Sequence, residues 1–222
     1  MGVKSIMNTD RLFWLGRYSE RVYTTLKLFE RSFDVLIEQY GGDHREFCRS
    51  LEIPDIYSDK DDFIGKYAFS LEDPNSIMSN LRRGYDNAIE LRDEIGSECL
   101  SFIQMAIYEM ERAQRSDAPG LFFQKVTDYI LAFWGCADDQ IDDENTRNII
   151  KIGKRVERLD LYARLGRSRA EIQREIDRLA GRIDRTDLIY RKDNLQRLHT
   201  LAVQPELDYA AIVTAVEALV EC

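Results

Sequence analysis

One segment of this chain occurs twice, and that recurrence constrains the fold more than any other feature. Asn8 to Arg21 aligns without a gap with Asn145 to Arg158. Asn8, Thr9, Gly16, Glu20 and Arg21 are identical to Asn145, Thr146, Gly153, Glu157 and Arg158. Leu12 and Leu15 pair with Ile149 and Ile152, and Arg17 pairs with Lys154. On a helix, glycine and glutamate four residues apart share a face. Two such helices are expected to face each other across a pseudo-symmetric core, since a repeat usually marks a repeated structural unit.

A glycine inside a helix costs about 1 kcal/mol relative to alanine. Its recurrence at the same point suggests a close approach to the backbone, either by a neighbouring helix or by a ligand. Phe13, Trp14, Leu15, Tyr18 and Val22 surround Glu20 and place its carboxylate at least partly inside the protein. A buried carboxylate requires a partner. Arg21 is its neighbour in sequence and points elsewhere on the helix, so cross-pairing is expected: Glu20 with Arg158, and Glu157 with Arg21. These charges admit two readings. They are buried ion pairs that brace the fold, or they line a pocket in which guanidinium clamps a carboxylate and glutamate accepts an ammonium group. Arg92 and Glu98, on either side of a break at Gly96-Ser97, are candidate further members.

The rest of the chain has helical periodicity. Leu15, Tyr18, Val22, Leu26, Phe29, Phe33, Leu36 and Tyr40 form one stripe, with a capping candidate at Asn8-Thr9-Asp10 and a stop at Gly41-Gly42. Further helices are expected at about 43–51, 61–70, 75–94, 97–115, 119–136, 145–166, 168–181, 187–202 and 207–220. Glu52 to Asp62 reads as a surface loop. No stretch alternates long enough for a sheet. The expected fold class is all-α, a multi-helix bundle forming one domain over residues 1–222, with repeat copies near 8–28 and 145–165.

The net charge of −9 argues against nucleic acid and anionic membrane surfaces as partners. The basic stretch from Arg147 to Arg185 is interleaved with acids, as on a solvated, salt-bridged surface. Leu121 to Trp134 is interrupted by Gln124, Lys125 and Asp128 and is not a membrane span. Cys48, Cys99, Cys136 and Cys222 show no CxxC spacing and read as reduced thiols. With no hydrophobic signal core at the start, a cytoplasmic location is expected.

Several chemical motifs fail on inspection. Asp138-Asp139-Gln140-Ile141-Asp142 spells a magnesium-diphosphate string but reads as an acidic loop leading into a helix N-terminus. His44 and His199 are preceded three residues earlier by Gly41 and Gln196, so the Glu-x-x-His pattern of a di-iron site is missing. No Walker-type phosphate loop occurs. Phe122, Phe123, Tyr129, Phe133 and Trp134 fit a core or partner-helix face. No metal and no cofactor is expected.

Phe13-Trp14-Leu15-Gly16-Arg17-Tyr18-Ser19-Glu20-Arg21, then Asn87-Ala88 with Arg92 and Glu98, then Ile152-Gly153-Lys154-Arg155-Val156-Glu157-Arg158, together resemble the alpha-E domain, a bacterial helical family named for its Glu-Arg motif. The chain departs from the family pattern at Gly96, where serine is usual, and at Leu100, where tryptophan is usual. It is also shorter than most members. The resemblance implies a partner, an atypical ATP-grasp ligase, and a setting in peptide synthesis or modification. It supplies no catalytic residue. The leading expectation is an accessory protein that binds an amino-acid-like or peptide ligand at Glu20, Arg21, Arg92, Glu98, Glu157 and Arg158, with Gly16 and Gly153 as motif glycines. The alternatives are an enzyme using the same carboxylates as acid and base, and a structural partner.

Overall fold

The computed structural model describes residues 6–37 and 43–221, and within these it is all-α, with ten helices and no strand. In chain order these are α1 (Ile6–Ile37), α2 (His44–Leu51), α3 (Lys60–Phe69), α4 (Ile77–Glu90) and α5 (Arg92–Gln114). They continue with α6 (Gly120–Gln140), α7 (Glu144–Arg164), α8 (Arg169–Ile183), α9 (Lys192–Ala202) and α10 (Tyr209–Glu217). The expected stop at Gly41-Gly42 and the stripe position Tyr40 lie outside the described residues, as do Cys222 and the start of the chain.

Most helix starts are written locally. The side chains of Asp43, Asp59, Ser76, Asp143 and Asp208 each accept a backbone N–H of the first turn they precede. Ser168 and Glu171 form a reciprocal capping box at α8. Asn8-Thr9-Asp10 is a correction, because α1 already runs from Ile6 and these residues lie inside it. Extending an existing helix by a turn costs little compared with nucleating one, so packing downstream outweighs a capping preference.

The chain divides into two compact units. The first comprises residues 1–20 and 142–222, and the second residues 21–141. In the first, α7 packs on α8 and α10, while α9 packs on α8 and α10. Leu12, Leu15, Ile149, Ile152, Leu159, Ile172, Ile176, Leu179, Ile212 and Leu219 are fully enclosed there. In the second, α5 packs on α6, α4 on α5, and α3 on both α4 and α5. Its core is aromatic: Phe29 lies 6.0 Å from Phe63 and 5.8 Å from Phe123, and Phe47 lies 4.9 Å from Tyr67, ring centre to ring centre. Phe123 and Phe133 belong to this core, and Trp134 stands edge-on to Tyr23 at 4.9 Å. Of the α6 aromatic set, Phe123 and Phe133 are thus core, while Phe122 is half-buried with the Arg112 guanidinium over its ring.

Three boundaries differ from expectation. The stretch expected as one helix over 75–94 ends at Glu90, and α5 begins at Arg92 after a turn at Leu91. Asp138 and Asp139 sit in the last turn of α6 rather than in a loop. Among the described residues no cluster of acids, histidines or cysteines is arranged to hold a metal ion. Residues 187–191 are not helical, because they hydrogen-bond to the C-terminal segment: Arg191 N–H donates to Leu219 at 2.8 Å and Glu221 N–H to Ile189 at 3.1 Å. That non-local pairing is invisible to local periodicity. No helix is long and apolar enough to cross a membrane, among the described residues.

The break at Gly96 is real. Its φ of 80° and ψ of 155° interrupt α5 in a backbone region essentially reserved for glycine. An added methyl would meet nothing within 4 Å, so only backbone strain opposes it. Gly96→Ala should therefore lower stability by about 1–3 kcal/mol, read as a fall in the urea midpoint at unchanged slope. An unchanged midpoint would show that the chain leaves this conformation at little cost.

Candidate functional site

The motif glycines are where two backbones meet. A Cβ built on Gly16 would lie 2.1 Å from the carbonyl oxygen of Ile150, and one on Gly153 would lie 2.0 Å from that of Phe13. In both cases the obstructing carbonyl belongs to the residue three before the opposite glycine. The first part of α1 and the helix α7 therefore cross with no room for side chains. Of the two explanations open for the glycines, the neighbouring helix is the one observed.

The close crossing brings the charged motif residues within reach of each other. Arg158 grips Glu20 with two hydrogen bonds, Nε to Oε1 at 2.6 Å and Nη2 to Oε2 at 2.8 Å. Arg17 donates from Nε to Glu157 Oε2 at 2.7 Å, and its guanidinium also lies over the Trp14 ring at 4.8 Å. Both carboxylates are essentially inaccessible, at 0% and 1% exposure, whereas the paired arginine side chains are each 15% exposed. Burial opposes the Arg158 charge, but the hydrogen bonds and charge of Glu20 offset it and hold its pKa above the ordinary arginine value.

The network extends along α7 to α8. Arg155 donates from Nη1 to Glu175 Oε2 at 2.7 Å, and Arg178 from Nη1 to Glu175 Oε1 at 3.1 Å. Glu175 is buried, and the Nε of Arg155 is a buried donor without a hydrogen-bond acceptor. Lys154 lies between these pairs in sequence, and its pKa is brought down to about 7. Burial is the main cause; Glu20 raises it, while Arg158 and Arg155 lower it further. Further along the helix, Arg164 ties buried Asp160 to Glu217 of α10 at 2.6 Å. Arg17, Arg155, Arg158 and Arg178 thus accompany Glu20, Glu157 and Glu175, with Lys154 among them.

The residues anticipated from sequence are distributed unevenly. Glu20, Glu157 and Arg158 belong to this network. Arg21 opens the second unit, where Thr25 donates its hydroxyl to the Arg21 carbonyl at 2.7 Å. Arg92 and Glu98 also belong to the second unit and are both exposed, with Arg92 Nε donating to Ser97 Oγ at 3.0 Å. Arg17 is a partner of Glu157 that the spacing did not assign. The repeat held that signal, since it matches a cation with a cation at Arg17 and Lys154, three residues before each glutamate. Arg155 and Glu175 were not anticipated. Glu175 stands on the apolar stripe of Ile172, Ile176 and Leu179, and an acid at such a position is the available clue.

Chemically, Arg158 holds both oxygens of the Glu20 carboxylate. A carboxylate saturated by a bidentate guanidinium is stabilised as the anion and is a poor proton donor or acceptor.

Residues 8–203 match the Alpha-E family, described as a predicted alpha-helical domain with a conserved ER motif, and the chain belongs to that family. Glu20-Arg21 and Glu157-Arg158 both have the form of that motif. No curated protein and no solved structure matches the chain.

Two outcomes follow from this geometry. Alanine usually stabilises an unobstructed mid-helix glycine position by about 0.5–1 kcal/mol. At Gly153 the methyl meets a backbone carbonyl, so Gly153→Ala should instead cost about 1–3 kcal/mol or more by overpacking. Gly135→Ala, a helical position with open space, is the control and should not lose stability. Urea midpoints of both variants decide the matter. The second outcome concerns pH. The folded chain releases the Lys154 proton near 7, whereas an unfolded lysine keeps it to about 10.5. Between these values the unfolded state binds more protons, so stability rises with pH. The gain between pH 7 and 9 should shrink in Lys154→Met, and an identical slope in both proteins would contradict the burial of this amine.

Proposed function

We propose that this protein is a helical binding subunit of an ATP-grasp-type amide or peptide ligase system, and that it anchors the carboxylate of an amino-acid-like or peptide ligand on Lys154, Arg155 and Arg158. The ligase setting follows from the resemblance of the motif segments. The ligand end rests on one observation: Arg155 keeps a buried Nε–H without an acceptor. A buried donor left unmatched costs about 1–3 kcal/mol, and an anionic ligand oxygen is a suitable acceptor. Glu20 and Glu157 then act as braces that hold the guanidiniums in place, not as acid and base.

Calorimetric titration of the full chain with dipeptides and their C-terminally amidated counterparts tests this reading. Free dipeptides should bind, with amidation weakening binding at least about tenfold, equivalent to about 1.4 kcal/mol. Arg155→Met should abolish binding while leaving the helical circular dichroism unchanged. Equal binding of acid and amide, or no binding by any member of the series, would remove the carboxylate anchor.

A further inference from the structure

Within the second unit, the thiols of Cys99 and Cys136 meet across the α5–α6 hairpin. Their sulfurs are 2.9 Å apart, with Cys99 donating its S–H to Cys136. Both are free thiols, Cys99 fully buried and Cys136 partly exposed. We infer that Cys99 and Cys136 form a reversible intramolecular disulfide when the protein meets a peroxide, and that this bond staples α5 to α6 just beyond the Gly96 break.

The geometry supplies three requirements. The sulfurs need to approach by only about another ångström to reach a disulfide length of about 2.0 Å. The order of attack is set by access, because Cys136 can meet a peroxide and Cys99 cannot. Burial pushes the Cys99 thiol pKa upward, and its hydrogen bond to Cys136 adds to this, so Cys99 waits as the resolving thiol. In the first step the Cys136 sulfur attacks one peroxide oxygen, the O–O bond breaks, and sulfenic acid and water form. In the second, Cys99 sulfur attacks the Cys136 sulfur, the S–O bond breaks, and the departing hydroxide takes the Cys99 proton as water. Two thiols and one peroxide thus yield one disulfide and two waters.

The structural consequence is local. Cys99 lies three residues after Gly96, on the segment that carries Arg92 and Glu98, and Cys136 lies in the last turns of α6. Bonding them closes a loop spanning 37 positions of the chain and restrains the unfolded chain. Reduction frees the segment.

The test treats the full native chain with a small excess of hydrogen peroxide, quenches with a thiol-alkylating reagent, and maps peptides by mass spectrometry. The expected product has lost two hydrogens, contains a Cys99–Cys136 cross-linked peptide, and reverts with dithiothreitol. Its Tm should lie above that of the reduced protein. Cys136→Ser and Cys99→Ala should each lose both the cross-link and the shift. If Cys99→Ala does not fold, the wild-type peptide map decides alone. Oxygen added at Cys136 without a cross-link, pairing with Cys48 or Cys222, disulfide-linked dimers, or unreacted thiols would each overturn the inference.

Discussion

The first unit depends on a backbone-to-backbone crossing. Gly16 and Gly153 each leave space for the carbonyl of the other helix, and a single methyl group on either would occupy it. Because the helix axes come so close, short reaches suffice for Arg158 to meet Glu20 and for Arg17 to meet Glu157. Widening the crossing would stretch hydrogen bonds that neutralise two inaccessible carboxylates. A buried charge that loses its partner is far more costly than the pair is favourable. Glycine packing and ion pairing are therefore a single constraint, and the charged network along α7 rests on it.

Much of this was legible in the sequence, for identifiable reasons. Helix positions follow from periodicity and capping residues, and Asp143, Ser168 and Asp208 each act where local chemistry places them. The repeat identified the glycines and the Glu20–Arg158 partnership. What escaped depends on non-local geometry. Leu188, Ile189 and Tyr190 supply the apolar spacing of a helix, but the backbone of this segment is claimed by the C-terminal segment. Arg17 reaches Glu157 across the close approach of α1 and α7, which spacing within either helix does not reveal. Arg155 needs a partner on α8, and nothing in the spacing within α7 reveals that. The break at Gly96 was visible as a Gly-Ser pair, whereas the earlier turn at Leu91 has no such punctuation.

The network also separates two roles that the motif alone conflates. Its glutamates are enclosed and occupied, so their value lies in fixing the orientation of guanidinium groups. Its arginines Arg17, Arg155 and Arg158 stay partly exposed, and Arg155 has a buried Nε–H without an acceptor. Membership of the Alpha-E family brings a helical domain and a Glu-Arg motif, and in the arrangement seen here the two acids are enclosed while Arg17 and Arg158 stay partly exposed. The core of the second unit is instead dominated by stacked and edge-on rings around Phe29 and Phe63, with buried Asp73 accepting the Tyr57 hydroxyl beside them.

The chain order of the first unit carries a cost during synthesis. Residues 1–20 leave the ribosome long before residues 142–222, and Glu20 waits for a partner 138 positions later in the chain. At translation rates of about 5–20 residues per second, that wait is roughly 7–28 seconds. Throughout it the apolar face of Leu12, Phe13 and Leu15 has no α7 to cover it, while the whole of the second unit emerges and folds. A nascent chain of this design must stay soluble with its first helical segment uncovered, and it completes its first unit last.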